Sequence, residues 1–252
     1  FGTRFRGSVR SLAALAFEAA APRYGAMLEC GPGRAIVSMS PELFLETTPG
    51  TDGVAVRTRP IKGTRPSSRS VDELERSEKD AAELHMIVDL MRNDLGRVCR
   101  LGSVRVSQPR TIESHPTVHH GVAEITGILR PELGIADLVL AAFPPGSVTG
   151  APKVQAMRII DELEPVRRGP YCGAVGWIDD SGYATLNVAI RTITATGTPL
   201  DGCGELDGRL DYFAGCGIVA ESDPEAEYRE SLDKTEVFRR AIENASTGST
   251  NH

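Results

Sequence analysis

Glycine and proline punctuation limits the folds open to this chain more than any other feature of its sequence. From residue 24 onward it cuts the apolar sequence into stretches too short for helices: residues 24 to 28, 35 to 38 and 43 to 46 are separated by Gly31-Pro32-Gly33 and Ser40-Pro41. Apolar runs of that length between turn residues predict antiparallel strands. Helical periods are mixed among them. Residues 8 to 21 place Leu12, Leu15, Ala16 and Ala19 on one side before Pro22 stops the pattern. Residues 71 to 98 carry a longer stripe of Leu74, Leu84, Ile87, Met91, Leu95 and Val98, opened by Ser70 and Glu73 at capping-box spacing. Helices and strands do not strictly alternate, which predicts an α+β domain over residues 1 to 245, antiparallel sheets with flanking helices, and a disordered Ser-, Thr- and Gly-rich tail over 246 to 252.

The later sequence fits the same class. Strands are expected near 104 to 106, 122 to 129, 171 to 178, 184 to 194 and 210 to 219, with a Gly- and Asp-rich hairpin loop over 197 to 209. Helices are expected over 135 to 143, from Pro152 at the first helical position through Leu163, and from Pro224 onward, the last capped by Asp223 and striped by Tyr228, Leu232, Thr235, Phe238 and Ile242.

Composition excludes several function classes. Net charge is -6, against the basic excess of a nucleic-acid binder, and no apolar run approaches the ~18 residues of a membrane helix. Cys30, Cys99, Cys172, Cys203 and Cys216 are odd in number and scattered, so neither a disulfide framework nor a zinc knuckle is expected, and a reducing cytoplasm is. A small-molecule enzyme remains.

The residues that carry chemistry concentrate between 57 and 99. Arg57, Arg59, Lys62 and Arg65 fall within nine residues, beside the backbone donors and hydroxyl of Gly63-Thr64, a combination suited to an anionic ligand. Asp80 and Glu83 share one helix face, as do Glu227 and Glu230 near the C-terminus; two such pairs together suit a hard divalent cation. Arg191 lies in an apolar run, where a cation needs an anionic partner, so it is expected to bind a carboxylate. Three histidines, His115, His119 and His120, invite a metal site, but Pro116 disfavours the helix that would converge the first two and adjacent strand residues face opposite sides, which leaves one of His119 and His120 to face a pocket as a hydrogen-bonding group. Residues 146 to 153 fail the phosphate-loop spacing, since Ala151-Pro152 separates Gly150 from Lys153. Gly215 to Ala220 reads G-x-G-x-x-A, but the helix that should follow at once begins only near Pro224.

Taken together, Ser40-Pro41-Glu42, the run from Arg59 to Arg65, Glu83 with residues 86 to 95, Gly146 to Lys153, Tyr171-Cys172-Gly173, Ile190-Arg191-Thr192, and Gly215 to Val219 with Glu227 and Glu230 resemble the chorismate-utilising enzymes. That family includes anthranilate synthase component I, aminodeoxychorismate synthase component I and isochorismate synthase. The resemblance implies an anthranilate synthase component I-like fold around a central chorismate site. It implies Mg²⁺ held by Glu83 and Glu230 with Asp80 and Glu227 in support. Tyr171, Arg191 and the backbone at Gly215 and Gly217 would receive the enolpyruvyl carboxylate, Gly63 and Thr64 the ring side, with His120 and Thr149 lining the pocket. Glu42 would act as an acid. At Lys62 the family has alanine in anthranilate and isochorismate synthases and lysine in aminodeoxychorismate synthases, so the resemblance implies amination at C4 through a covalent Lys62 adduct, with ammonia from a glutamine amidotransferase partner. Anthranilate formation and chorismate binding without turnover are the competing expectations. The family's fold begins before the residue matching Phe1, so the chain is expected to be the core of a longer protein.

Overall fold

The computed structural model describes residues 1–115, 118–200, 205–220 and 222–247; Pro116, Thr117 and Cys203 lie outside them, as does most of the tail expected over 246–252, whose first two residues are helical. The strands are β1 (Gly2–Ser8), β2 (Tyr24–Glu29), β3 (Arg34–Ser40), β4 (Leu43–Gly50), β5 (Gly53–Arg59), β6 (Ile61–Pro66), β7 (Arg105–Ser114), β8 (Val118–Ile128), β9 (Ala174–Ile178), β10 (Ala184–Val188), β11 (Thr192–Leu200) and β12 (Glu205–Tyr212). The helices are α1 (Val9–Ala20), α2 (Val71–Glu75), α3 (Glu78–Gly96), α4 (Ile135–Ala142), α5 (Lys153–Leu163), α6 (Pro224–Asp233) and α7 (Glu236–Thr247), with a 3-10 turn at Gly146–Val148. The single domain expected over 1–245 comprises two compact units, Phe1–Pro41 with Arg168–Val175 and Ala189–His252, and Glu42–Arg167 with Gly176–Val188.

In the first unit an antiparallel sheet runs in the order β1-β12-β11-β3-β2. Its core joins Leu12 and Ala16 of α1, Val37 and Met39 of β3, Ile193 of β11, Leu210 and Tyr212 of β12, and Phe238 of α7. α1 begins where the Ser8 hydroxyl accepts the Ser11 N–H, and stops at Ala21, which turns into the left-handed region ahead of Pro22. In the second unit the order is β6-β8-β5-β4-β10-β9, and β7 pairs with β8. The buried stripe Leu74, Leu84, Ile87, Met91, Leu95 and Val98 is the one its spacing predicts.

Several expected elements are cut differently. The helix over 71 to 98 is two helices, because the Ser77 hydroxyl accepts the Asp80 N–H and starts α3 afresh. Pro152 stands at the N-cap of α5 and not inside it. β11 and β12 extend through most of the expected 197 to 209 loop, with Thr198 opposite Asp207, leaving 201–204 outside the described residues. Cross-strand pairing outweighed the weak strand propensity of Gly and Asp there. The strand expected to 219 ends at Tyr212, and that expected over 184 to 194 breaks before Thr192, where Arg191 adopts φ 50°.

Candidate active site

In the second unit the expected residues gather around β6. Ile61 is opposite Val122 but Thr64 is opposite His120, so β6 holds one extra residue at Lys62-Gly63. A bulge of this kind bends a strand and re-aims its side chains. Gly63 permits it: φ is +79°, and a Cβ there would stand 2.6 Å from Leu74 Cδ1 and 2.8 Å from Asp80 Cγ. Gly121 of β8 permits an equally close approach, with the Lys62 carbonyl oxygen 2.5 Å from where its Cβ would be. Lys62 Nζ then lies 3.9 Å from the Glu83 carboxylate, both side chains largely buried. Thr64 Oγ1 meets His120 Nδ1 at 2.9 Å. Glu42, 3% exposed, accepts the Ile61 N–H at 3.4 Å, so its carboxyl reaches the residue just before Lys62. On α3, Asp80 accepts from Arg65 at 2.9 Å, one turn before Glu83.

The basic run is less available to a ligand than its composition suggests. Arg57 pairs with Glu46 and Glu124, Arg59 with Glu113 and Glu124, and Arg65 with Asp80. Glu46 sits directly opposite Arg57 across β4 and β5, a cross-strand charge pair that neither strand reveals alone. The histidines also separate: His119 Nδ1 meets Ser114 Oγ at 2.8 Å in β7, whereas His120 bonds into β6.

Thr149 stands in the turn after the 3-10 segment, its hydroxyl donating to the Pro145 carbonyl at 3.0 Å. That turn is anchored by a pair not singled out from sequence: Lys153 Nζ donates to Asp94 Oδ2 at 2.7 Å and to the Ala142 carbonyl at 2.8 Å. Burial pushes the Asp94 carboxyl above its usual range although Lys153 opposes the shift. The signal was available, since Asp94 falls three residues after Met91 on the apolar stripe of α3.

The first unit holds the remaining expected residues. Tyr171 stacks on Phe213 with centroids 5.6 Å apart, and its hydroxyl oxygen lies 3.2 Å from where a Cβ on Gly215 would be. Gly215 and Gly217 belong to an irregular segment after β12. Arg191 is half-buried between strands; its carbonyl accepts the Met39 N–H at 2.9 Å and its positive charge partly offsets the effect of burial on Tyr212. On α6, ligand atoms of Glu227 and Glu230 lie within 4.8 Å of each other and of Cys216, the one such group of metal-ligating side chains found among the described residues. Burial, reinforced by Glu230 and Glu227, pushes the Cys216 thiol up to about 11, and Lys234 faces both Glu230 at 2.8 Å and the Gly215 carbonyl at 2.9 Å.

Residues 4–240 match the chorismate binding enzyme family. This chain belongs to that family. It is 46% identical over 217 residues to aminodeoxychorismate synthase component 1 of Salmonella typhimurium, covering 83% of this chain and 45% of that protein. It is also 44% identical over 229 residues to an anthranilate synthase component 1 of Haloarcula marismortui, covering 88% and 42%. Anthranilate synthase component I from Streptococcus pneumoniae superposes with a TM-score of 0.81 at 32% identity, covering 94% of this chain and 51% of that one. The mixed helix and antiparallel sheet fold is therefore the expected one, and the chain spans about half the length of the curated relatives it matches.

Proposed function

We propose that this chain carries the chemistry that aminates chorismate at C4 to 4-amino-4-deoxychorismate. The observation that supports this most is Lys62, a largely buried amine in a glycine-built bulge, with Glu42 at the preceding residue and Glu83 3.9 Å away. The Lys62 amine attacks C2 of the ring; both ring double bonds shift, C1=C2 to C1=C6 and C5=C6 to C4=C5, and the C4–O bond breaks, with Glu42 supplying the proton that lets hydroxide leave as water. Ammonia then adds at C4, both double bonds return to C1=C2 and C5=C6, and the C2–N bond to Lys62 breaks, the proton lost by the added nitrogen leaving with the lysine amine. Tyr171, Arg191 and the backbone at Gly215 and Gly217 are assigned to the enolpyruvyl carboxylate, and Gly63, Thr64, His120 and Thr149 to the ring side.

Mg²⁺ is part of the proposal, with Glu83 and Glu230 as its ligands and Asp80 and Glu227 in support. The donors suit a hard cation: all are carboxylate oxygens, and in the structure Glu83, Asp80 and Glu230 face the cations Lys62, Arg65 and Lys234 respectively, while Glu227 accepts from the Ser222 hydroxyl. When bound, the ion would neutralise substrate carboxylate charge. Ammonia is assigned to a glutamine amidotransferase partner and the setting to the cytoplasm, consistent with the free thiols of Cys30, Cys99, Cys172 and Cys216; among the described residues no helix is long and apolar enough to cross a membrane.

Incubation with chorismate, Mg²⁺ and excess ammonium salt, followed by mass analysis, tests the proposal. Aminodeoxychorismate without pyruvate is expected, and Lys62→Ala should abolish or severely slow its formation; near-normal rates in that variant exclude the covalent role. Anthranilate with pyruvate would establish the second reading, which the similarity to anthranilate synthase component 1 relatives favours. Chorismate binding without any product would point to a non-catalytic role.

A further inference from the structure

β8 faces bulges on both of its neighbours here: the one on β6 lies opposite Gly121, and one on β7 lies opposite Ala123, two residues away. On β7, Gln108 is opposite Glu124 and Thr111 is opposite Val122, so one extra residue is accommodated at 109 to 110. On β6 the extra residue is at Lys62-Gly63, and Ile61 is opposite that same Val122. The Lys62 carbonyl oxygen and Arg110 Nε lie 2.5 and 3.6 Å from where a Cβ on Gly121, next to Val122, would be, so both bulges bring an atom up to this glycine. The β7 bulge aims Arg110 at α2, where its guanidinium donates to the Leu74 carbonyl and, at 3.0 Å, to the Glu75 carbonyl. Both carbonyls lie at the C-terminus of a short helix, where the Leu74 carbonyl also accepts the Ser77 N–H at 3.3 Å, and a cation there complements the helix dipole. Leu74 is fully buried, and its Cδ1 is the atom nearest to where a Cβ on Gly63 would be.

We infer that Arg110 is a positioning residue for Lys62: by clamping the end of α2 it seats Leu74 against Gly63 and so sets the main chain of the bulge that carries the amine. α2 is too short to hold its place by its own hydrogen bonds. Nor is the bulge held by regular pairing, since the register of β6 is interrupted at Lys62-Gly63. The contact with Leu74 therefore takes over what the missing ladder bonds would do. Arg110 does not touch substrate in this scheme; it acts through Leu74 and Gly63. The inference rests on the proposed role of Lys62.

Arg110→Met tests it, because methionine keeps apolar bulk over Gly121 and removes both donors, while Arg110→Lys retains a donor. Expected for Arg110→Met is a fall in kcat of about ten- to a hundredfold with KM for chorismate nearly unchanged, since a nucleophile displaced by about an ångström loses rate and not substrate contacts. Arg110→Lys should recover part of the loss. Hydrogen exchange measured by mass spectrometry should accelerate over residues 61 to 66 and not over 43 to 50. Unchanged kcat and exchange, equal loosening of both strands, or failure to fold would each overturn the inference by making Arg110 either idle or a general structural residue. If Lys62→Ala is itself as active as the unaltered protein, the proposed chemistry fails first; a dead Lys62→Ala beside a fully active Arg110→Met would sink only the role of Arg110.

Discussion

Gly63 shows how much a single residue carries. At φ +79° any side chain is strained, and a Cβ would stand within 3 Å of Leu74 and Asp80. Gly63→Ala should therefore cost about 2 kcal/mol of stability, read from the urea midpoint, and slow turnover further by shifting Lys62. Tyr212 makes a second prediction. Its hydroxyl donates to the Lys234 carbonyl at 2.9 Å, and burial pushes its ionisation up to about 12 from the ordinary value of 10. The folded state thus keeps a proton that the unfolded chain gives up, so this stabilisation is complete below pH 10 and is lost as pH rises through about 12. Linkage puts the loss at about 2 to 3 kcal/mol. Urea unfolding of the protein and Tyr212→Phe at pH 9 and above should show a steeper decline in the unaltered chain, by the difference due to this phenol; parallel declines would refute it. Arg191 was legible as a cation needing a partner, but its left-handed backbone was not, because φ 50° at a non-glycine residue depends on what surrounds it.

Among the elements, α5 depends on a bond that its own sequence does not announce. Lys153, its first residue, reaches Asp94 on α3 and the Ala142 carbonyl at the end of α4, so one ammonium ties three helices together. Lys153→Met would leave the Asp94 carboxylate buried without its counter-charge and should destabilise the second unit by about 3 to 5 kcal/mol at neutral pH. Burial already raises Asp94, and removing Lys153 raises it further. The deficit should therefore shrink as pH falls and the carboxyl protonates, which chemical denaturation at pH 7 and pH 4.5 will show; an equal deficit at both would mean that the lost aliphatic packing matters more than the charge. The caps at Ser70 and Asp223 were readable from local spacing, but the last stripe was not carried by one helix: α6 ends at Asp233 and α7 starts at Glu236, with Tyr228 and Leu232 of α6 exposed. The break at Ser77 was not readable, because capping serines inside a periodic pattern look the same as solvent-facing ones.

On the scale of the molecule, the chain spans about half the length of the curated relatives named above. The chemistry proposed needs ammonia but includes no glutamine-hydrolysing residues, so ammonium salt should support product formation where glutamine alone does not, until a glutaminase partner is added; product from glutamine alone would contradict the assignment of that partner. What the sequence determined by itself was local or carried by motif: helix faces, caps, the α+β class, and the family that the runs around Lys62, Glu83, Arg191 and Glu230 share. Tertiary structure alone decided which charges neutralise which, as when Glu46, Glu113 and Glu124 take up two of the four cations expected to hold a ligand. It also decided where β6 and β7 bulge against β8. The physical reason is range: a helix period or a cap is set by residues within a turn of one another, whereas strand register and ion pairing depend on which distant segment lies alongside, and one residue of slip changes every partner.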